Sequence, residues 1–215
     1  MVYQFHRSRV LFVSLLFLAV ASAACAGLVF GIFWAFLVAV YDSLVIGWVV
    51  WNWGLEVVFK PTDSKTAQIM LEAARVGPGD TVYDLGAGDG RLLIMAARRY
   101  GADCVGVEID PLRFCVARLS VRLFGVQNRV RIVRANIRDI DLSSADVVLM
   151  YLSLELNSEL RSKFSKELKD DSRVVSYVYP IVGWEPLELL ASAQPGEKVY
   201  LYQSGASSTR VGDQT

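Results

Sequence analysis

Three glycines alternate through Asp84-Leu85-Gly86-Ala87-Gly88-Asp89-Gly90, and this segment constrains the fold more than any other. It follows a short apolar run, Val82-Tyr83, and leads into Arg91-Leu92-Leu93-Ile94-Met95-Ala96-Ala97, which reads as a helix. A strand, a tight loop and a helix start in that order make a recess for a small ligand. Glycine lets the backbone turn and approach closely, and the first helical amides point outward without partners. A second apolar run, Cys104-Val105-Gly106-Val107, ends in Glu108, twenty-four residues after Asp84. Two carboxylates at successive strand ends suit ribose hydroxyls and the polar head of a nucleoside-like cofactor. The glycine pattern alone is a weak signal and also suits a purely structural turn; the flanking strand, helix and Glu108 give it weight. Asp84 and Asp89 place negative charge beside the loop, which disfavours a pyrophosphate and matches a cationic amino-acid cofactor without phosphates.

The chain around this segment alternates. Strands are expected at Thr81–Asp84, Cys104–Glu108, Val130–Arg134, Val147–Tyr151 and Arg173–Tyr179, with helices at Arg91–Tyr100, Leu112–Phe124 and Glu155–Lys169. Apolar strands interleaved with amphipathic helices predict an α/β fold with a mainly parallel sheet covered on both faces. Leu187–Ala193 and Val199–Gln203 are expected to add an antiparallel pair. Ahead of the first strand, Pro61-Thr62-Asp63 reads as the cap of a helix over Ser64–Ala74, and Gly77-Pro78-Gly79-Asp80 as a turn.

The N-terminal region differs. From Val10 to Trp51 the only charged residue is Asp42. That length predicts an N-terminal transmembrane helical segment. One long span, a hairpin (Leu11 to about Gly27, then about Phe30 to Val50) and a re-entrant or surface-lying arrangement all remain open. Arg7 and Arg9 before the run and Lys60 and Lys65 after it favour both ends on one side, with the domain that follows facing the cytoplasm or an equivalent cofactor-containing compartment. A cleaved leader over residues 1–26 explains less, because the apolar run continues past it. Asp42 fits an interfacial position beside Tyr41, Trp48, Trp51 and Trp53. The expected organisation is residues 1–50 as transmembrane segment, 51–80 as connector and covering helix, 81–203 as core and 204–215 as a loose tail.

The remaining composition mainly excludes. Twenty-two basic residues balance 22 acidic ones, so there is no general basic surface for nucleic acid. Three cysteines without a Cys-x-x-Cys pair and one histidine, His6, argue against a metal site. Asp139, Asp141 and Asp146 read as solvated turns rather than ligands. The region after residue 60 lacks histidine, so no nucleophilic triad is expected there. Oligomeric state is not legible.

The run Asp84–Gly90, followed by Val105-Gly106-Val107-Glu108-Ile109-Asp110, resembles motif I of the class I, seven-strand S-adenosylmethionine-dependent methyltransferases, over roughly residues 59–203. The resemblance implies a Rossmann-like seven-strand methyltransferase sheet that binds S-adenosylmethionine. It places Asp84 and the loop of Gly86, Ala87, Gly88 and Gly90 beside the methionine moiety, and Glu108 on the ribose. Asn136 is cast beside the adenine, with a loop cap as the alternative, and Ile109 and Ile137 against its ring faces. Asp110 is read as a helix cap. Phe59-Lys60-Pro61-Thr62, Tyr151-Leu152, Asn157-Ser158-Glu159-Leu160 and Gly183-Trp184-Glu185-Pro186 look, more narrowly, like the small membrane-associated protein-lysine methyltransferases and their archaeal relatives. That likeness casts Thr62 as a contact to the cofactor carboxylate. Lys60 departs from it, standing where an apolar or small residue is usual.

Methyl transfer to an amine asks for positioning and water exclusion rather than covalent help. Tyr151 is the first candidate for the rim of the methyl channel, with packing as the alternative. Glu155 is a second candidate, unless it only opens its helix. Trp184 and Glu185 are candidates for a substrate lip, or for turn packing. The expectation is a methyltransferase acting on lysine side chains of a protein at or near the membrane, with the lipid bilayer and a lysine-bearing protein as partners. A lipid headgroup or membrane-embedded small molecule is the alternative acceptor. A non-catalytic membrane binding module is the alternative of another class.

Overall fold

The computed structural model describes residue 34, residues 36–50 and residues 60–205. The chain divides into two compact units, Met1–Val58 and Phe59–Thr215. In the first, residues 36–50 are helical. Among the described residues no helix is long and apolar enough to cross a membrane. The expected transmembrane segment is corrected on this ground. The membrane-associated side of the narrower likeness, the bilayer partner and the membrane localisation are corrected with it. The first expected span, Leu11 to about Gly27, lies outside the described residues, as do Trp51, Trp53 and the tail beyond Gly205.

The second unit is a seven-stranded sheet in the order β3-β2-β1-β4-β5-β7-β6. Its strands are β1 (Thr81–Leu85), β2 (Asp103–Glu108), β3 (Val130–Arg134), β4 (Val147–Met150), β5 (Arg173–Tyr177), β6 (Glu188–Ala191) and β7 (Lys198–Gln203). The first five pair in parallel and β7 pairs antiparallel with both β5 and β6. The central strands β1, β4 and β5 are buried almost throughout, as a parallel sheet covered on both faces requires. Strand order reverses between β2-β1 and β1-β4, which opens a crevice at the carboxyl ends of those strands.

Local chemistry sets the helix starts. Helix α1 (Ser64–Ala73) begins where the Asp63 carboxylate accepts the Lys65 and Thr66 amides, both at 3.0 Å. Helix α3 (Pro111–Leu123) begins at Asp110, whose Oδ1 accepts the Arg113 amide at 2.8 Å, with Pro111 in the first turn. Helix α4 (Leu154–Glu167) begins at Ser153, which accepts the Leu156 amide at 3.2 Å. Each such cap contributes about 1 kcal/mol. Helix α2 (Arg91–Met95) tightens no further but widens into a π-helical turn over Ala96–Tyr100, ended by Gly101 at φ 70°.

Strand β5 stops two residues earlier than its apolar run suggests. Val178 sits at φ 69°, and the Tyr179 amide turns back to the Tyr177 carbonyl at 2.9 Å. A β-branched residue rarely holds that conformation. Here the neighbours compensate: the Tyr179 carbonyl accepts Asn157 Nδ2 at 2.9 Å and the Ser176 hydroxyl at 2.6 Å. At the opposite edge of the sheet, the Arg173 guanidinium reaches Asp80 and the Ala74 carbonyl, each at 2.6 Å, and pins the end of α1 to β5.

Candidate active site

The loop after β1 is built around positive φ angles that favour glycine: 92° at Gly86, 57° at Gly88 and 80° at Gly90. The Gly86 and Ala87 amides both donate to the Val107 carbonyl, at 2.9 and 3.0 Å, so the loop folds over the end of β2. Gly106 in β2 is there for space. A methyl group on it would meet Leu93, Ile132 and Ala87 side-chain atoms at 2.6, 2.8 and 2.9 Å.

Glu108 ends β2 as a buried carboxylate. Its Oε2 accepts the Gly88 amide and its Oε1 the Asp110 amide, both at 2.9 Å. Asp84 is buried in β1 and carries no such donors. Burial, helped by the neighbouring Glu108 and Asp89, pushes its carboxyl up to about 7. Burial also works against the charge on Asp89. It is outweighed there by the Arg91 guanidinium and amide, which hold Asp89 below the ordinary carboxylate range. Asp110 Oδ2 is buried without a hydrogen-bond partner. Glycine turns, a buried carboxyl whose negative charge no donor or cation offsets, and an orphaned carboxylate oxygen near Glu108 together fit a cationic ligand that brings its own donors, such as an amino-acid nucleoside.

A short strap crosses the same edge of the sheet. Arg91 grips Asp89 at 2.6 Å and donates to the Thr62 carbonyl at 3.2 Å, and Thr62 itself is buried. Thr66 Oγ1 accepts the Ala193 amide at 3.2 Å. Lys60 pairs with Glu197 at 2.8 Å, and its Nζ lies 5.9 Å from the centroid of the Tyr151 ring. Tyr151 in turn packs on Tyr177 with centroids 4.5 Å apart, and the Tyr177 hydroxyl donates to the second oxygen of Glu197. The Glu197 bond, opposed by slight burial, raises the Lys60 ammonium above its ordinary range. Lys60 and Tyr177 hold Glu197 low. Burial raises Tyr151, and burial with Glu197 pushes Tyr177 up to about 12, so both remain phenols at neutral pH.

The other expected site residues fall in less connected places. Ile109 is exposed just beyond β2. Asn136 Oδ1 accepts the Arg138 amide at 3.0 Å, the geometry of a loop cap, and Ile137 beside it is half-buried. Glu155 is exposed in the first turn of α4, where an acid complements the helix dipole. Trp184 is buried, packed on Phe164 and Tyr202 at 6.1 and 5.9 Å, while Glu185 beside it is exposed. Sequence reasoning passed over Tyr177 and Glu197. The available signal was an aromatic at the end of an apolar strand and a lone acid just before the last one.

Comparison with known proteins bears on this site. The family model for the ANTKMT methyltransferase domain matches residues 84–188. A protein-lysine N-methyltransferase of Saccharolobus islandicus is 41% identical over 152 residues, covering 69% of this chain and 94% of that protein. The adenine nucleotide translocase lysine N-methyltransferase of Mus musculus is 27% identical over 157 residues, 73% of this chain and 67% of that one. Among solved structures, an RNA methyltransferase from Salinibacter ruber in complex with S-adenosyl-L-homocysteine superposes with a TM-score of 0.65 at 36% identity. It covers 67% of this chain and 94% of its own.

Proposed function

The chain belongs to the class I, seven-strand S-adenosylmethionine-dependent methyltransferases and is related to the archaeal protein-lysine methyltransferases, and from that premise we propose that its acceptor is the side-chain amine of a protein lysine. It is an enzyme, and S-adenosylmethionine is its cofactor. The observation that carries the lysine reading is the 41% identity across nearly the whole length of the archaeal enzyme. The aromatic and acidic character of the crevice beyond β4 and β5 agrees with it, because a cationic side chain is welcome there.

The cofactor supplies an electrophilic methyl group on a positively charged sulfur. We assign Gly86, Ala87, Gly88 and Gly90 to close backbone approach, Glu108 to the ribose hydroxyls, and Asp84 to the cationic end. Asn136, Ile109 and Ile137 line the adenine side, and Thr62 on the strap faces the cofactor carboxylate. Tyr151 forms the wall past which the lysine approaches. As a phenol that keeps its proton it orients the amine rather than deprotonating it. The substrate lysine would therefore shed its proton to solvent, and Tyr151 would hold the neutral amine toward the methyl group that S-adenosylmethionine would supply. Glu155, Trp184 and Glu185 take no assigned step.

The test is incubation of the full chain with methyl-labelled S-adenosylmethionine and a cell extract, followed by separation into protein and RNA. Label recovered as methyl-lysine after protein hydrolysis, and absent with Asp84→Ala, is the expected result. Label in RNA alone would overturn the lysine reading and leave the methyltransferase.

A further inference from the structure

We propose that Tyr151, Tyr177 and Glu197 form a docking subsite for an alkylammonium group, and that Lys60 is its intramolecular occupant when no substrate is bound. This rests on the lysine reading and names the group that receives the substrate side chain.

The three residues come from separate stretches of chain. Tyr151 follows β4, Tyr177 ends β5, and Glu197 directly precedes β7. The β5–β7 register pairs Tyr177 with Val199, which brings Glu197 to the carboxyl edge where Tyr151 emerges. Glu197 divides its oxygens. Oε2 accepts the hydroxyl of Tyr177, a residue 2% exposed, while Oε1 faces the Lys60 ammonium. One oxygen thus fixes the carboxylate to the sheet and the other meets a cation. The Tyr151 ring, backed by the Tyr177 ring at a tilt of 55°, gives that cation an aromatic wall, with Nζ within cation–π range of Tyr151.

Cradle and occupant differ in anchorage. The cradle is tied to β5. Lys60 enters from outside the sheet, and its side chain is 59% exposed against 23% for Glu197. An ion pair that exposed adds little to stability, so the Lys60 side chain withdraws at small cost. Its head group and four-carbon stem are those of the proposed substrate. A lysine arriving at the crevice meets a pocket already shaped around a lysine, and must displace it.

Binding of Nα-acetyl-lysine methylamide to the full chain loaded with S-adenosyl-L-homocysteine tests this directly. Lys60→Met keeps the stem and removes the charge. It is expected to bind the probe up to about fivefold more tightly than the native protein. The corresponding norleucine amide, which lacks the ammonium, should show no gain. Glu197→Gln added to Lys60→Met should abolish the gain. An unchanged affinity in Lys60→Met, or a gain that survives Glu197→Gln, would overturn the subsite. If Lys60 only tethers the strap, Lys60→Met weakens S-adenosyl-L-homocysteine binding without tightening the probe, which also overturns it. The readout requires no turnover, so it separates from the functional test. Label on RNA with the tightening intact would discard the lysine product and keep the amine subsite. Label on lysine without the tightening would do the reverse.

Discussion

The Gly88 amide donates to Glu108 across 2.9 Å, so the loop after β1 and the end of β2 share one buried carboxylate. The Asp110 amide holds its other oxygen, and with that the start of α3. A side chain assigned to the ribose is therefore also a brace for the turn that cradles the cofactor.

Two substitutions at Glu108 should separate these roles. Glu108→Ala leaves two amides unpaired at a buried site, at a cost of about 1–3 kcal/mol each. It should lower both the unfolding midpoint and the affinity for S-adenosyl-L-homocysteine. Glu108→Gln keeps an acceptor for one amide and loses the charge. It should lose about 1–3 kcal/mol, the cost of the one amide left unpaired and about half the loss in Glu108→Ala, while binding about tenfold more weakly, since bonds to charged groups are roughly twice as strong. Calorimetry for affinity and urea denaturation for stability, on both variants, would show whether the two losses come apart.

Asp84 should make cofactor binding depend on pH. Its folded carboxyl is raised to about 7 from an ordinary 3.8, by burial first and by Glu108 and Asp89 next. Between those values the native protein holds a proton that the unfolded chain has released. Stability of the cofactor-free protein therefore falls as pH climbs from about 4 to about 7, and is flat in this term on either side. A cationic cofactor favours the ionised form. Affinity for S-adenosylmethionine should thus rise with pH up to about 7 and level off above it. Asp84→Asn should bind more weakly, without that rise, and should gain stability relative to the native protein at pH 8 compared with pH 5. A native affinity that is level from pH 5 to 8 would contradict this role.

Gly106 offers a test through packing alone. Adding one methyl group there forces Leu93, Ile132 or Ala87 to move, and overpacking of this kind costs about 1–3 kcal/mol. Because Ala87 belongs to the cofactor loop, Gly106→Ala should reduce cofactor affinity as well as the unfolding midpoint. Gly77, with open space around it and an ordinary backbone, is the control. Gly77→Ala should leave affinity unchanged.

The contrast between these sites shows what the sequence could display. The strands were legible because each is a short apolar run closed by a turn, and β1, β2 and β3 lie where such runs fall. Motif I was legible because its strand, loop and acid are close in the chain. The Lys60–Glu197 pair was not, since its partners are 137 residues apart and meet only after β7 returns beside β5. Trp184 was legible only as a choice: a tryptophan in a Gly-Trp-Glu-Pro turn suits a substrate lip or turn packing, and its ring is buried against Phe164 and Tyr202. The long apolar run from Val10 to Trp51 suggested a membrane span. Hydropathy records only the composition of such a stretch, and among the described residues no helix is long and apolar enough to cross a membrane.

Tyr151 carries the most direct statement about the chemistry. Burial raises its hydroxyl above the ordinary phenol range, and Lys60 only partly opposes this. A phenolate is therefore scarce at neutral pH, and if Tyr151 only positions the amine, the deprotonated fraction of the substrate lysine sets the rate. With a free lysine near 10.4, kcat/KM should rise about tenfold per pH unit from pH 7 toward 9. Tyr151→Phe keeps the ring that packs on Tyr177 at 4.5 Å. It should retain that slope and lose less than about tenfold in rate, the scale of one neutral hydrogen bond. Tyr151→Ala removes the wall and should lose about a hundredfold, as misplacement of the acceptor does. Steady-state rates on a lysine peptide across pH 7–9 decide the matter. If the slope disappears in Tyr151→Phe, the hydroxyl takes the proton and the positioning role fails.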